Sequence, residues 1–492
     1  MNISRRFFIG GATAFGALGA FGGARFVSTS AKGRGNGPRL RLGVVSDIHV
    51  TCIGRDQPVG AHGNCHTFRH TLEWFRDQKV DGVVIAGDMA DNGVISQLEA
   101  VAATWNEVFP GGKAPDGRPV ERLFVCGNHD MGGIPYARGW LKRKPDVEIA
   151  KKIIFPDPKA VWERVFREPY APMWHKTVKG YSFVGAHWLV QGCKGRNEAF
   201  NERIAEFYAG LKSKLDPRLP FFHIQHPHPK GTCHGTSVWG QDVGLSTQVL
   251  SQFPNAIALS GHSHTPLTDP RFIWQGAFTS IGTSSLRYGA LSSFGFRPTN
   301  SSKAQDCRTG LLLDVYDERI VVRRREFLSD LDFGDDLVLP LPAAESRPFA
   351  FAEHARRLAA PEFADGTAVE VKVVEKKAPA TKKAPATAKN GGKPAVRRVF
   401  RVSVPAPKAD ARAPFCHLEF AIAGGAKKVK CAIGPQTFYP RGHRKATLPT
   451  TCTFLPNEVP AAGPFRFAVT PVGAFGRRGK TLYSEMVRSD TK

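Results

Sequence analysis

The sequence predicts an α/β domain followed by an all-β sandwich, and three observations carry that reading. Short Val- and Ile-rich runs alternate with amphipathic segments through the first half of the chain, the strand–helix rhythm of an α/β sheet. Those runs end abruptly in Gly, Asp, Asn or His, as in Val44–Val45–Ser46–Asp47–Ile48–His49 and Ile85–Ala86–Gly87–Asp88. Past a repetitive basic tract, alternating segments with Gly/Pro turns follow at short spacing, the pattern of a β-sandwich.

The 492 residues suffice for two domains and a sizeable core. An apolar fraction of 42% with frequent Gly and Pro excludes a disordered chain and indicates a loop-rich globular one. The formal net charge of +25 predicts attraction to polyanions such as phosphoesters, anionic glycans, nucleic acid or membrane surfaces. Much of that charge lies in the basic tract, and solvated surface Lys and Arg account for the rest.

The amino-terminal stretch has the layout of an export signal over residues 1–31. Ser4–Arg5–Arg6–Phe7–Phe8–Ile9 precedes an uncharged Gly/Ala/Phe run from Gly10 to Ala24, and Ser28–Thr29–Ser30–Ala31 supplies small residues at its exit. The run is too weakly apolar for a stable membrane span, with an uncleaved anchor as the alternative. The adjacent arginines resemble the twin-arginine signal, which implies a bacterial protein exported already folded, a periplasmic or otherwise extracytoplasmic location, and the twin-arginine export machinery as partner. None of the nine cysteines forms a Cys-x-x-Cys, so a structural zinc knot is not expected. Cys52 with Cys65 and Cys431 with Cys452 are candidate disulfides in an exported protein, and the odd total leaves at least one thiol over.

In chain order, the strand to Ser46 is followed by a helix from His66 to Gln78, with Phe68, Leu72 and Phe75 at helical spacing. Val83–Ala86 is a second strand, Ser96–Phe109 a helix, and Arg122–Cys126 a third strand that delivers Gly127–Asn128–His129–Asp130. Met131–Lys179 reads as an irregular insertion able to roof a site, with a helix at Ala160–Phe166. Strand Tyr181–Leu189, helix Glu198–Leu215 and strand Leu219–Gln225 lead to His226–Pro227–His228–Pro229. Strand Ala256–Ser260 delivers Gly261–His262–Ser263–His264, and Phe278–Ile281, Leu311–Val315 and Ile320–Arg325 are further strands. In open α/β sheets the loops at the carboxyl ends of the strands form the site.

Lys-Lys-Ala-Pro-Ala-Thr at Lys376 repeats directly at Lys382, and residues 376–398 hold eight Lys or Arg and no acid. Such a tract cannot bury enough apolar surface to order itself. Alternating segments flank it, Ala368–Glu375 and Val399–Val404, so it reads as a disordered loop inserted in a hairpin. Phe415–Ile422, Lys428–Ile433, Thr450–Leu455 and Phe465–Val472 complete the sandwich over residues 361–492. Its end, Phe465–Arg466–Phe467–Ala468–Val469–Thr470–Pro471 with Thr481–Leu482–Tyr483–Ser484, resembles the last hairpin of a fibronectin type III domain.

Asp47-x-His49, Gly87–Asp88, Gly127–Asn128–His129–Asp130, His226 and Gly261–His262–Ser263–His264 are each weak signals alone. In this order, each closing a strand, they resemble the calcineurin-like metallophosphoesterase superfamily, over a domain at 38–345. The resemblance implies a double β-sheet sandwich flanked by helices and two metal ions. Carboxylates, imidazoles and one amide oxygen suit Mn, Fe or Zn, divalent or trivalent. It further implies that Asp47, His49 and His264 hold one ion and Asn128, His226 and His262 the other, with Asp88 and a hydroxide bridging. His129 is then the non-ligand histidine that contacts phosphate and protonates the leaving oxygen, oriented by the Asp91 carboxylate. Asp130 reads as structural, and His223 and His228 compete with His226 for the fourth motif.

Two departures narrow the class. Purple acid phosphatases carry Tyr three residues beyond the bridging Asp, where this chain has Asp91. Protein Ser/Thr phosphatases have Asp–Arg–Gly there, against Asp91–Asn92–Gly93, so their phosphate-gripping arginine is missing. Arg55, Arg69, Arg138, Lys194 and Arg196 are candidate replacements. His62, His66 and His70 form an i, i+4, i+8 series with a possible cation or phosphate role. Tyr136, Trp140, Trp162, Tyr170 and Trp174 are candidates for a substrate cleft or for the core. The implied activity is hydrolysis of phosphomonoesters or phosphodiesters by a metal-bridging hydroxide. The alternatives are a non-catalytic polyanion- or glycan-binding protein on the same scaffold, engaging the cell envelope through the basic tract and sandwich, and a nuclease, for which no nucleic-acid motif is present.

Overall fold

The computed structural model describes residues 37–51, 65–91, 95–132, 158–188, 197–235, 239–291, 297–377, 396–424 and 429–488. The elements begin with β1 (Leu40–Val45), α1 (Cys65–Asp77), β2 (Gly82–Ala86), α2 (Ile95–Val108), β3 (Glu121–Val125) and α3 (Asn128–Gly132). Next come α4 (Pro158–Phe166), β4 (Met173–Val178), β5 (Tyr181–Ala186), α5 (Asn197–Leu211), β6 (Phe221–Ile224), α6 (Leu245–Leu250) and β7 (Ala256–Ser260). Then follow β8 (Ile273–Gln275), β9 (Thr279–Gly282), a short ribbon of β10 (Gly289–Ala290) and β11 (Lys303–Ala304), β12 (Thr309–Val315), β13 (Arg319–Glu326), β14 (Leu331–Asp332), β15 (Leu337–Pro340) and α7 (Phe351–Arg357).

These build two sheets. The first has the order β14-β13-β12-β1-β2-β3, with β15 also paired to β13, and the second the order β4-β5-β6-β7-β9-β8. Strand side chains alternate between faces, and the burial follows. Leu42, Val44, Val84 and Leu123 of the first sheet meet Phe183, Phe222, Ile257 and Ile281 of the second in one core between the sheets. Val45, Val83, Ile85 and Phe124 point the other way, under Phe68, Leu72 and Phe75 of α1, Trp105 of α2 and Trp162 of α4. Ile204 and Tyr208 of α5 and Leu250 of α6 cover Val184 and Ala258 on the outer face of the second sheet. The result is the expected double sandwich flanked by helices. β1 runs parallel to β2 and β2 to β3, as do β5, β6 and β7 in the second sheet. The motif loops therefore leave each sheet at carboxyl ends.

Several boundaries differ from expectation. The stretch read as irregular from Met131 to Lys179 contains β4, which pairs antiparallel with β5 from Met173↔Ala186 to Val178↔Tyr181. It is an edge strand, mixed in exposure, so its sequence lacks the continuous apolar run of a central strand. Trp162 is buried and Tyr170 packs against the same core, and Trp174 packs against the core between the sheets, so these aromatics serve packing. Residues 133–157, with Tyr136, Trp140 and Arg138, lie outside the described residues. The helix expected to reach Leu215 ends at Leu211 and tightens into a 3₁₀ turn at Lys212–Lys214.

The carboxyl-terminal part comprises β16 (Glu370–Lys377), β17 (Val396–Val404), β18 (Cys416–Ile422), β19 (Lys430–Ile433), β20 (Thr450–Phe454), β21 (Pro464–Phe465), β22 (Phe467–Gly473), β23 (Leu482–Tyr483) and β24 (Val487–Arg488). Sheets β16-β17-β20 and β19-β18-β22-β23 share a core of Phe400, Val402, Leu418, Phe420, Phe454 and Phe467. β16 and β17 pair from Glu370↔Ser403 to Lys377↔Val396. The hairpin therefore extends into the basic tract at both ends, and only residues 378–395 of it lie outside the described residues. Cys431 and Cys452 are both free thiols, which corrects the Cys431–Cys452 pairing; Cys52 and the stretch read as an export signal lie outside the described residues. The sandwich packs on the first domain through Phe415, Ile433 and Phe438 against Leu291 and Cys307.

Candidate dinuclear metal centre

The β1–β2 pairing continues past the strand ends into the motif loops. Asp47 N donates to Gly87 O (2.9 Å), His49 N to Asp88 O (3.0 Å) and Val50 N to Met89 O (2.8 Å). The second sheet does the same where Gly261 N donates to His226 O (2.9 Å). To turn side chains from both sheets toward one point, the backbone leaves the usual φ range. Asp47 (φ 52°), His49 (48°), Asp88 (54°), His262 (70°) and His264 (54°) are all left-handed non-glycine residues. Such residues cost of order 1–3 kcal/mol each and persist where surroundings over-determine them. Gly127 is required by close approach, since a Cβ there would lie 2.2 Å from Asp88 Oδ1.

The side chains converge in three overlapping groups whose ligand atoms all lie within 4.8 Å of one another: Asp47, His49 and His264; His49, Asp88 and His129; Asp88, His226 and His262. In most of them one polar atom is tied back and the other faces inward, the arrangement that orients metal ligands. Asp47 Oδ2 accepts from His262 N (2.9 Å), and Oδ1 lies 3.0 Å from His264 Nε2. Asp88 Oδ1 accepts from His129 N (2.8 Å), and Oδ2 lies 3.1 Å from His226 Nε2. His226 Nδ1 donates to Ala86 O (2.8 Å), and His264 Nδ1 faces Tyr288 O at 3.2 Å. Buried Asn128 opens α3, one residue before the His129 N–H that holds Asp88.

The three histidines of the fourth motif have different partners. His226 reaches Asp88, whereas His228 bonds Ser260 Oγ (2.7 Å) and Ser263 Oγ (2.8 Å). His223 meets Tyr208 Oη and Gln225 Oε1, both at 2.9 Å. Asp91 differs from expectation. Its carboxylate lies 3.3 Å from both His49 Nδ1 and Arg287 Nη1, and the contact it offers His129 is its backbone carbonyl, to Nδ1 at 2.6 Å. Asp130 is structural, accepting from Ala90 N (2.7 Å) and Gly127 N (2.8 Å).

Residues 40–266 match the family model for calcineurin-like phosphoesterases. They form a calcineurin-like phosphoesterase domain. No curated protein matches the sequence. Among solved structures the chain is similar to a dimetal phosphatase from Danio rerio, at 12% identity and TM-score 0.33, over 62% of this chain and 99% of that one. It is also similar to a purple acid phosphatase from yellow lupin seeds, at 16% identity and TM-score 0.36, over 61% of this chain and 53% of that one.

The phosphoesterase domain's donor set fits two divalent metal ions. Asp47 Oδ1 and His226 Nε2 are buried and make close ionic contacts, with His264 Nε2 and Asp88 Oδ2, but no directed hydrogen bond, and the Nε2 atoms of His49 and His264 face each other at 3.2 Å. Buried carboxylate and imidazole atoms crowded onto one point are costly unless a cation receives them. The electrostatics agree. Burial alone would raise the Asp47 and Asp88 carboxyls, but the surrounding histidines, His264 and His49 at Asp47 and His226 and His49 at Asp88, pull both below the usual range. Burial would likewise lower the histidines. Instead Asp47, Asp91 and Asp88 hold His49 up at about 10, and Asp88 with Asp47 holds His226 at about 9. His262, buried beside His226, falls to about 3. Burial and the neighbouring Asp88 raise Asp130 to about 7.

The structure also brings in residues that sequence reasoning missed. Arg287, from the loop after β9, donates to His49 O (2.8 Å), and of the candidate cations Arg69 pairs with Glu107, while Arg55, Lys194 and Arg196 lie outside the described residues. His187 accepts from Cys126 N (3.0 Å) and ties β5 to the third motif. Tyr288 packs on His264, Trp188 on His226 and His262, and Trp239 on His262. No local motif marks these positions; the signal is only an aromatic or basic residue following a strand. Of the histidine series, His70 pairs with Asp330 (2.7 Å) and His62 lies outside the described residues.

Proposed function

We propose that the protein is an exported phosphoester hydrolase in which Asp47, His49 and His264 hold one metal ion, Asn128, His226 and His262 the other, and Asp88 both. The observation that carries this reading is the overlap of the donor groups at Asp88 and His49, with half-buried His129 in the shared group. Two bound cations supply an activated water near neutral pH and offset the charge that develops on the phosphoryl group. The remaining work falls to the chain. His129, fixed through Nδ1 on the Asp91 carbonyl, presents its other nitrogen to the ester. Burial lowers the proton affinity of this imidazole, and an incoming phosphate dianion raises it again, so the proton is at hand for the departing oxygen. Arg287 fixes the His49 carbonyl and the Asp91 carboxylate and remains part-exposed as a phosphate contact. The test is hydrolysis of an aryl phosphate by metal-loaded protein. His264→Ala and Asp88→Asn are expected to abolish turnover with the circular dichroism of the fold unchanged; full activity in either overturns the assignment.

Two further readings complete the proposal. Ser4–Arg5–Arg6–Phe7–Phe8 supports twin-arginine export to the periplasm, and Arg5→Lys with Arg6→Lys is expected to retain the protein in the cytoplasm on fractionation. The three- and four-stranded sheets of the carboxyl-terminal part support a fibronectin type III-like module, with the basic tract displayed from its β16–β17 hairpin toward an envelope polyanion or glycan.

A further inference from the structure

We propose that the phosphoesterase centre carries a stacking subsite for a planar aromatic ring, formed by Trp239 and Trp188 beside His262, and that its substrates are phosphoesters whose alcohol part bears such a ring. The inference rests on the phosphoesterase reading above and names the substrate class of that site.

The indole of Trp239 stacks on the His262 imidazole, with centroids 4.5 Å apart and planes 30° from parallel. The residue is nevertheless 50% exposed. Trp188, part-buried, approaches the same imidazole at 5.7 Å and that of His226 at 6.1 Å. Two indoles thus border one half of the centre. A single exposed apolar side chain needs no explanation, but this one is held by a loop shaped to place it. Gly240, directly after Trp239, has φ 94° and runs so close to Ser263 that a Cβ would lie 3.1 Å from that side chain. Gly240 O accepts from His228 N (2.8 Å), and Asp242 N donates to His228 O (2.9 Å). The Asp242 carboxylate then accepts from Lys230 N (3.0 Å) and Gly244 N (2.8 Å). Ser263 itself lies between His262 and His264 in the chain, so the indole is fixed to the backbone that carries both. The Trp188 backbone is held too, its main-chain N–H donating to Cys126 O (3.0 Å).

Among the described residues, the opposite half offers no such platform. Tyr288 packs on His264 with centroids 4.3 Å apart, and the Lys303 ammonium sits 5.0 Å from its ring centre. An exposed indole beside a phosphoryl site gains by stacking, because every nucleobase and aryl ring presents a π-face. An alkyl phosphate would leave that indole wet.

The experiment titrates the metal-free full-length protein with adenosine monophosphate and with glycerol phosphate, reading tryptophan fluorescence. It is paired with kcat/KM of the metal-loaded protein on those two esters and on p-nitrophenyl phosphate. Expected are quenching by adenosine monophosphate and tighter binding of it than of glycerol phosphate. In Trp239→Ala that affinity falls about tenfold, and the kcat/KM ratio of ring-bearing to alkyl ester falls by a similar factor, while Trp239→Phe retains most of both. A ring preference confined to adenosine monophosphate assigns a nucleobase; one shared with p-nitrophenyl phosphate assigns any planar ring. Absent quenching, equal binding of the two ligands, or an unchanged preference in Trp239→Ala overturns the subsite. Failure to hydrolyse all three esters overturns the phosphoesterase reading instead, and the fluorescence titration still decides the subsite.

Discussion

At the residue scale, the centre is assembled from groups that repel neutrality. In the metal-free protein His49 and His226 hold protons up to about 10 and about 9 because carboxylates surround them. An unfolded imidazole titrates near 6.5 (~6.5), so these two groups bind protons more tightly in the folded state. Their contribution to stability is full below that value and is lost as pH rises through the folded values. A bound cation inverts the dependence, because the same protons must leave before either ring can act as a ligand. We expect melting temperatures of chelator-treated protein to fall between about pH 6.5 and pH 10, those of the metal-loaded protein not to, and calorimetry in buffers of different ionisation heat to register proton release on metal binding. The Asp91 carboxylate lies against His49 Nδ1, so Asp91→Asn is expected to weaken metal affinity about 10–100-fold. His129→Gln, by contrast, should lower kcat with metal affinity retained. Equal metal affinity in Asp91→Asn and the wild type would place that carboxylate elsewhere in the chemistry.

At the scale of elements, the strand ends act as fixed arms and single buried groups lock them together. Asp130 joins the loop after β2 to the loop after β3 through the Ala90 and Gly127 amides. Asp130→Ala strands both donors and is expected to cost about 2–4 kcal/mol in denaturant unfolding. The β16–β17 hairpin shows the opposite economy. Lys377 and Val396 are paired partners, so residues 378–395 can be replaced by a two-residue Asn–Gly turn of the type that joins directly paired strands. That deletion is expected to leave the melting temperature unchanged or higher and to weaken retention on a polyanion column; a lower melting temperature would mean that the tract supports the fold. The alternation on either side of the repeat made this hairpin legible in the sequence. β4 was not legible, because an edge strand answers to neighbours on one side only, and its Met173–Val178 segment carries no continuous apolar run.

At the scale of the molecule, the sandwich braces the loop that brings Arg287 and Tyr288 to the centre. Asn300 donates to Ile433 O and accepts from Ile433 N, both at 2.8 Å. The ribbon of β10 and β11 lies between that clamp and the metal ligands, with Ala290 N on His264 O at 2.8 Å. Asn300→Ala is expected to destabilise the protein by about 1–3 kcal/mol and to lower kcat on an aryl phosphate. A loss of stability with kcat unchanged would confine the clamp to structure. The sequence by itself determined the two-sheet class, the basic insertion and the candidate donors that the fold then gathers at Asp47, His49, Asp88, His262 and His264, because chemistry that sits where a buried strand ends must interrupt an apolar run. It left His226 in competition with its neighbours, put the Asp91 carboxylate on His129, and was silent on Arg287, Trp188 and Trp239. Only the tertiary structure decided these, since they depend on which atom of a side chain or backbone faces a partner far away in the chain. The spacing of residues along a strand carries no record of that direction.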